Sequence, residues 1–170
     1  MHILKPLLKL IHASMLVLLM TSQSQAQVLT TFVLIRHAEK SSEAGKDPAL
    51  SEAGQQRAVR LAEMLKATKV DAVYSTPYQR TRSTVTPLAE QQGLQVQTYD
   101  ALKGESIDEM LQRHHGGTVV VCGHSNTIPW TANYLTGNKD LSDFADNEYG
   151  NLIIVEVVEK GKAKVVWLRY

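Results

Sequence analysis

Two histidines and three arginines stand in this chain at places that a packed interior does not call for. Arg36-His37 directly follow the apolar run Thr31–Ile35. Arg80 and Arg82 come shortly after Val70–Tyr74 and a Ser75-Thr76-Pro77 turn, and Gly123-His124-Ser125-Asn126 follow Thr118–Cys122. Charged and imidazole groups resist burial unless they are paired. Their return at the ends of three separate apolar runs therefore asks for a chemical reason. Phosphoryl transfer fits. Two guanidinium groups can grip phosphate oxygens bidentately and offset the charge that develops on them. A neutral imidazole is a competent nucleophile near physiological pH and can carry a phosphoryl group for a time. Neighbouring arginines should lower its pKa and keep it neutral. A second histidine can donate hydrogen bonds to the same oxygens, and Gly123 lets the backbone approach them.

The elements that would position these groups can be read from periodicity. Thr31–Ile35 has the short, β-branched and aromatic character of a strand buried on both faces. Ser51 is a helix cap, after which Ala58, Leu61, Ala62 and Leu65 form one stripe. Val70–Tyr74 is a second strand. Arg80–Gln92 is a second helix, in which Pro87 removes one backbone donor and should kink the rod, with Gly93 as its stop. Leu94–Thr98, Ser106–His114, Thr118–Cys122 and Thr127–Leu135 continue the alternation as strand, helix, strand, helix. Two runs, Leu152–Val158 and Ala163–Leu168, flank Glu159–Lys162 as a hairpin. The order predicts a three-layer α/β/α sandwich with a mostly parallel sheet and a C-terminal hairpin. In such sheets ligands bind beyond the carboxyl ends of the strands, which is where Arg36, His37, Arg80 and His124 stand. His114-His115, before Gly116-Gly117, are expected to cap a helix end.

At 170 residues the chain is long enough for one well-cored domain. With 44% hydrophobic and 21% charged residues it has a soluble globular composition, and a net charge of +1 gives no reason to expect a nucleic-acid partner. Lys5 and Lys9, the apolar run Leu10–Met20 and a small-x-small ending at Ser24 and Ala26 describe a secretory signal peptide over residues 1–26. The run is shorter than the ~20 residues of a membrane span. The expected product is a domain over residues 27–170, periplasmic or secreted, with no stable membrane insertion once the leader is removed. Cys122 is the single cysteine and reads as a small buried hydrophobe.

Four ordered motifs resemble those of the histidine phosphatase superfamily, also called phosphoglycerate-mutase-like. Arg36-His37-Ala38-Glu39 is similar to its Arg-His-Gly nucleophile motif, with Ala38 in place of glycine. The segment Leu50–Ala58 resembles the Leu-Thr-x-x-Gly-x-x-Gln-Ala helix start. Tyr74–Thr84 resembles the second-arginine segment and selects Arg80 over Arg82. Val121–Asn126 resembles the second-histidine segment. The resemblance implies a phosphatase that needs no metal and no cofactor. His37 would be the nucleophile, and Arg36, Arg80 and His124 would bind the phosphate. It also implies a proton donor for the leaving group, for which Asp100, after the third strand, is the expected residue and Glu105 the second choice. Such an acid needs a raised pKa.

Other readings attach to the same residues. A phosphoglycerate-mutase-like phosphotransferase would need substrate-enclosing insertions that this economical chain lacks. A non-catalytic phosphate-ligand binding domain would have little use for both histidines. Gly123-His124-Ser125-Asn126-Thr127 approaches the serine nucleophile elbow, with Thr127 where its last glycine belongs. A divalent metal would be repelled by Arg36 and Arg80. The substrate class is a phosphorylated small molecule or phosphoprotein. The segments Glu39–Leu50 and Lys103–His115 lack aromatic residues, so an open, shallow site with broad tolerance is expected.

Overall fold

The computed structural model describes residues 27–42 and 45–170; the leader read over residues 1–26 lies outside them. Six strands and four helices alternate in the expected order. β1 (Thr30–Arg36) is followed by α1 (Glu52–Leu65), β2 (Ala72–Ser75), α2 (Gln79–Gln91) and β3 (Val96–Thr98). Then come α3 (Gly104–Arg113), β4 (Thr118–Gly123), α4 (Thr127–Thr136), β5 (Asn151–Glu159) and β6 (Lys162–Arg169). The strands lie in one sheet in the order β3-β2-β4-β1-β5-β6. β3, β2, β4 and β1 are mutually parallel, while β5 and β6 are antiparallel additions at one side.

Alternate residues of the same strands feed two cores. Val33, Ile35, Val73, Val120 and Cys122 pack against Leu61, Ala62 and Leu65 of α1 and Val85, Leu88 and Ala89 of α2. Phe32, Leu34, Val119 and Val121 turn to the other face, against Ile107 and Met110 of α3 and Ile128, Ala132 and Leu135 of α4. Burial on both faces is why the runs read as continuous apolar stretches. The result is the three-layer sandwich that the alternation of elements predicts.

Local chemistry sets the helix ends. The Ser51 hydroxyl accepts from Gly54 N at 3.2 Å and caps α1. Gly93 (φ +68°) and Gly137 (φ +73°) take left-handed turns after α2 and α4. α2 continues through Pro87 to Gln91, so the proline does not end the helix. Lys160 stands in the hairpin turn between β5 and β6. Its ammonium reaches across to Asp108 at 2.9 Å and the Tyr134 hydroxyl at 2.9 Å, pinning the hairpin turn to α3 and α4.

Gly54 joins the fold to the site. A Cβ there would overlap the Glu39 carbonyl oxygen, which accepts from Ser51 N at 2.9 Å. Gly54→Ala should therefore destabilise the protein by about 2 kcal/mol. This is opposite in sign to the gain of up to ~1 kcal/mol that alanine ordinarily brings to a helix. Thermal unfolding of the variant reads the sign directly, and an unchanged or raised Tm would contradict the close approach.

Candidate active site

Because β1, β2 and β4 are parallel neighbours, their carboxyl ends share one edge of the sheet. The ladder extends past the strands: His37 N donates to Gly123 O at 2.9 Å and Thr76 N to Cys122 O at 3.3 Å. The three post-strand segments are thus tied side by side. His37, only 5% exposed, has its ring 5.4 Å from that of His124, edge to face. A cavity of about 340 Å³ opens over them, lined among others by Arg36, Lys40, Lys46 and Arg80.

The tautomer of His37 is set by its own backbone. Nδ1 lies 2.8 Å from the Ala38 carbonyl oxygen, which can only accept, so the proton sits on Nδ1 and Nε2 carries the lone pair. The Ala38 amide in turn donates to Thr84 Oγ1 at 2.9 Å, and Thr84 Oγ1 donates to Arg80 O at 2.7 Å. Burial, and behind it the charges of His124, Arg36 and Arg80, lowers the His37 pKa to about 4. The expected direction holds, but the larger cause is desolvation rather than the arginines.

His124 is fixed through a hydroxyl chain. Thr81 Oγ1 donates to the Tyr78 carbonyl at 2.8 Å and so accepts from Thr76 Oγ1 at 2.9 Å. Thr76 Oγ1 is then left to accept from His124 Nε2–H at 3.0 Å. Any second proton on His124 must go to Nδ1. Burial, then Arg80 and Arg36, lowers this pKa also to about 4. Gly123 serves differently from the expected approach to phosphate. A Cβ there would stand 2.6 Å from Thr127 Oγ1, which accepts from His124 N at 2.8 Å, so glycine is what lets this turn close.

Arg36 is 4% exposed, and its Nη1 donates to Ala145 O at 2.7 Å and Glu148 O at 3.1 Å. The guanidinium stacks over the Tyr149 ring at 4.4 Å. Its Nε is buried without a hydrogen-bond partner among the described residues. An unused buried donor beside a nucleophile is what an anion site needs. Arg80 lies over Tyr78 at 4.5 Å and pairs with Asp47 at 3.3 Å. Arg82 instead donates outward to Thr98 Oγ1 at 2.9 Å.

Asp100 does line the neighbouring cavity, yet its carboxyl is not the raised-pKa acid expected of a proton donor. It accepts from Leu102 N at 3.1 Å and pairs with Lys103 at 3.4 Å, and these contacts hold it below its ordinary value. Glu105 sits exposed in the first turn of α3. Most of Lys103–His115 is that helix rather than a pocket loop. His114 closes α3 as its cap residue, but its ring bonds the Tyr74 hydroxyl at 2.9 Å.

The 137–150 connection is the part that motif reasoning missed. It supplies Ala145 O, Glu148 O and Tyr149 to Arg36, mostly backbone groups that carry no residue-type signature. Tyr149 and Tyr78, outside the two aromatic-free segments, bring aromatic rings to the site, at 6.0 Å from His37 and 5.0 Å from His124. Among the described residues no hydrogen bond links Ser125 Oγ to a histidine, and no three His, Cys, Asp or Glu side chains cluster to hold a metal. No helix among them is long and apolar enough to cross a membrane.

Comparison with known proteins bears on this constellation. The model of the histidine phosphatase superfamily (branch 1) matches residues 32–106. A curated relative, phosphoserine phosphatase 1 of Hydrogenobacter thermophilus, is 30% identical over 100 residues, 51% of this chain and 47% of its own length. The match thus spans about half of that relative. The solved SixA structure of Nakamurella multipartitia superposes with a TM-score of 0.60 at 25% identity, over 82% of this chain and 94% of its own.

Over residues 32–106 the chain is similar to the histidine phosphatase superfamily. A protein histidine phosphatase SixA complexed with tungstate has a similar fold, with a TM-score of 0.66 at 17% identity over 82% of this chain and 96% of that one.

The two histidines give the protein a measurable pH signature. Unfolded, each charges near its ordinary 6.5; folded, each resists until about pH 4. Between these values the unfolded chain binds more protons, so stability present above pH 6.5 is lost as pH falls toward 4. Urea midpoints across that window should fall, and less steeply in a His37→Asn/His124→Asn double variant. An identical slope in both proteins would mean other groups carry the effect.

Proposed function

We propose that this chain is a hydrolase that releases phosphate from phosphomonoesters or phosphoanhydrides through a phosphohistidine on His37. The observation that carries the reading is the Nδ1–H bond of His37 to the Ala38 carbonyl, which directs the Nε2 lone pair to act while burial keeps the ring unprotonated. Nε2 attacks phosphorus as the bond to the leaving group breaks. Arg36, through its unused Nε, and Arg80 hold the phosphoryl oxygens. A bound phosphate dianion offsets the cationic field on His124 and so favours its second proton and a further hydrogen bond. Water then displaces His37 and frees phosphate.

Substrates of the class are phosphorylated small molecules or phosphoproteins, and the relatives named above as phosphoserine phosphatase and protein histidine phosphatase support that range. The chemistry requires no metal or cofactor. Residues 1–26, with Lys5, Lys9 and the apolar run behind them, support export to a periplasmic or extracellular site. Incubation with a labelled phosphodonor is the direct test. An acid-labile, base-stable phosphoenzyme is expected; phosphate release without one would require another mechanism.

A further inference from the structure

A second cavity, of about 620 Å³, adjoins the first, and the two share Arg80, His124 and Asn126. His37 lines only the first. In phosphoryl transfer the attacking and leaving groups stand roughly in line on opposite sides of phosphorus. A phosphate held between His37 and the shared residues therefore directs its leaving group into the second cavity.

The walls of that cavity define what fits. Pro77, Tyr78, Tyr99, Ala101 and Leu102 line it. Leu102 is 81% exposed at its mouth and Tyr78 41% exposed, an apolar rim that intramolecular packing does not account for. Most polar groups along the wall, the buried Tyr99 hydroxyl and Asn126 aside, are already engaged. Thr76 serves His124 and Thr81, Thr98 accepts from Arg82, Thr127 accepts from His124 N, and Asp100 is held by Leu102 N and Lys103. A polyol or amino-acid body would lose its water there and find few partners.

We propose that the natural substrate is an aryl phosphate, whose ring occupies the cavity rimmed by Tyr78 and Leu102. The assignment rests on the phosphatase reading and specifies its leaving group. It also agrees with the engagement of Asp100, the carboxylate on that wall. A phenol, with a pKa near ~10 like that of tyrosine, departs as phenolate far more readily than an alkoxide does. His37 Nε2 forms the bond to phosphorus, the phosphorus–oxygen bond to the ring breaks, and its electron pair stays on the phenolate oxygen. That oxygen takes a proton from solvent. Water then breaks the nitrogen–phosphorus bond, losing a proton to solvent, and phosphate leaves.

Phenylphosphonate and methylphosphonate separate binding from reactivity, because neither has a leaving oxygen. Calorimetry on the wild-type protein should find the phenyl compound at least about tenfold tighter, the effect of burying one apolar group. In Leu102→Asp, a change at an exposed position that the fold tolerates, that ratio should shrink to about threefold or less. Equal affinities in the wild type, or a ratio untouched by Leu102→Asp, would overturn the proposal whatever the phosphoenzyme experiment shows. Phenyl phosphate and a phosphotyrosine peptide, which present the same aryl–oxygen–phosphorus unit, are then compared with phosphoserine. Preference for either aryl compound supports the assignment and tells a free ligand from a side chain. Equal turnover of phosphoserine overturns it, leaving the phosphatase reading intact. Aryl binding with no turnover and no phosphoenzyme would sink both.

Discussion

His37→Ala is expected to lower kcat/KM for phosphate release by at least about four orders of magnitude, in the range seen when a covalent nucleophile is deleted. The variant should also form no phosphoenzyme. The reason lies in how little else in the pocket can attack. His124 is engaged at Nε2 by Thr76, and Cys122 is fully buried with its thiol pKa raised by that burial. The loss should be specific to chemistry. His37 touches the fold chiefly through its own Ala38 carbonyl, so circular dichroism and the cooperative unfolding transition should persist. A phosphoenzyme that survived in His37→Ala would move the nucleophile elsewhere.

Arg36→Ala and Arg80→Ala should each cost about 10²–10³-fold in kcat/KM, the usual effect of removing one donor to developing charge. Their stability effects should differ. Arg36 is buried and satisfies two carbonyls of the 145–148 turn, so its loss leaves buried acceptors unpaired and lowers stability by about 2 kcal/mol. Arg80 faces the exposed Asp47, whose carboxylate keeps its bonds from Gln79 N at 3.0 and 2.9 Å, so stability should change little. Lysine should not rescue Arg36. An ammonium lacks the planar fork by which Nη1 of the guanidinium serves two carbonyls while Nε stays free. Arg82→Ala, pointing to Thr98, serves as the control and should remain within about twofold of wild type. Steady-state kinetics on the four proteins, each with a denaturant midpoint, checks the set. An Arg82 effect as large as that of Arg80 would overturn the choice between them.

The site was legible in the chain where function depends on residue type at a fixed place. Arg36-His37, Arg80 and Gly123-His124 each follow a run whose β-branched character marks a strand, and parallel strands put such residues on one edge. Ser51 and Gly93 were legible as helix punctuation for the same local reason. Less legible were groups recruited through the backbone. Ala145 O and Glu148 O hold Arg36 although any residue presents a carbonyl. The Thr81–Thr76–His124 hydroxyl chain depends on which side chains the sheet edge aligns. Asp100 shows the opposite case: its position after the third strand was legible, whereas its contacts with Leu102 N and Lys103 were not.

By itself the sequence determined the alternation of strand and helix, the two-faced burial of the central strands and which four residues, Arg36, His37, Arg80 and His124, stand together at one edge of the sheet. These follow from short-range periodicity and from chemistry confined to single residues. Only the tertiary structure decided which nitrogen of His37 is free, how far burial rather than charge depresses its pKa, and what surrounds the leaving group. Tautomer, desolvation and cavity shape are set by contacts between segments as distant as Arg36 and Glu148 or Arg80 and His124. Such contacts come into being only when the sheet brings those segments together.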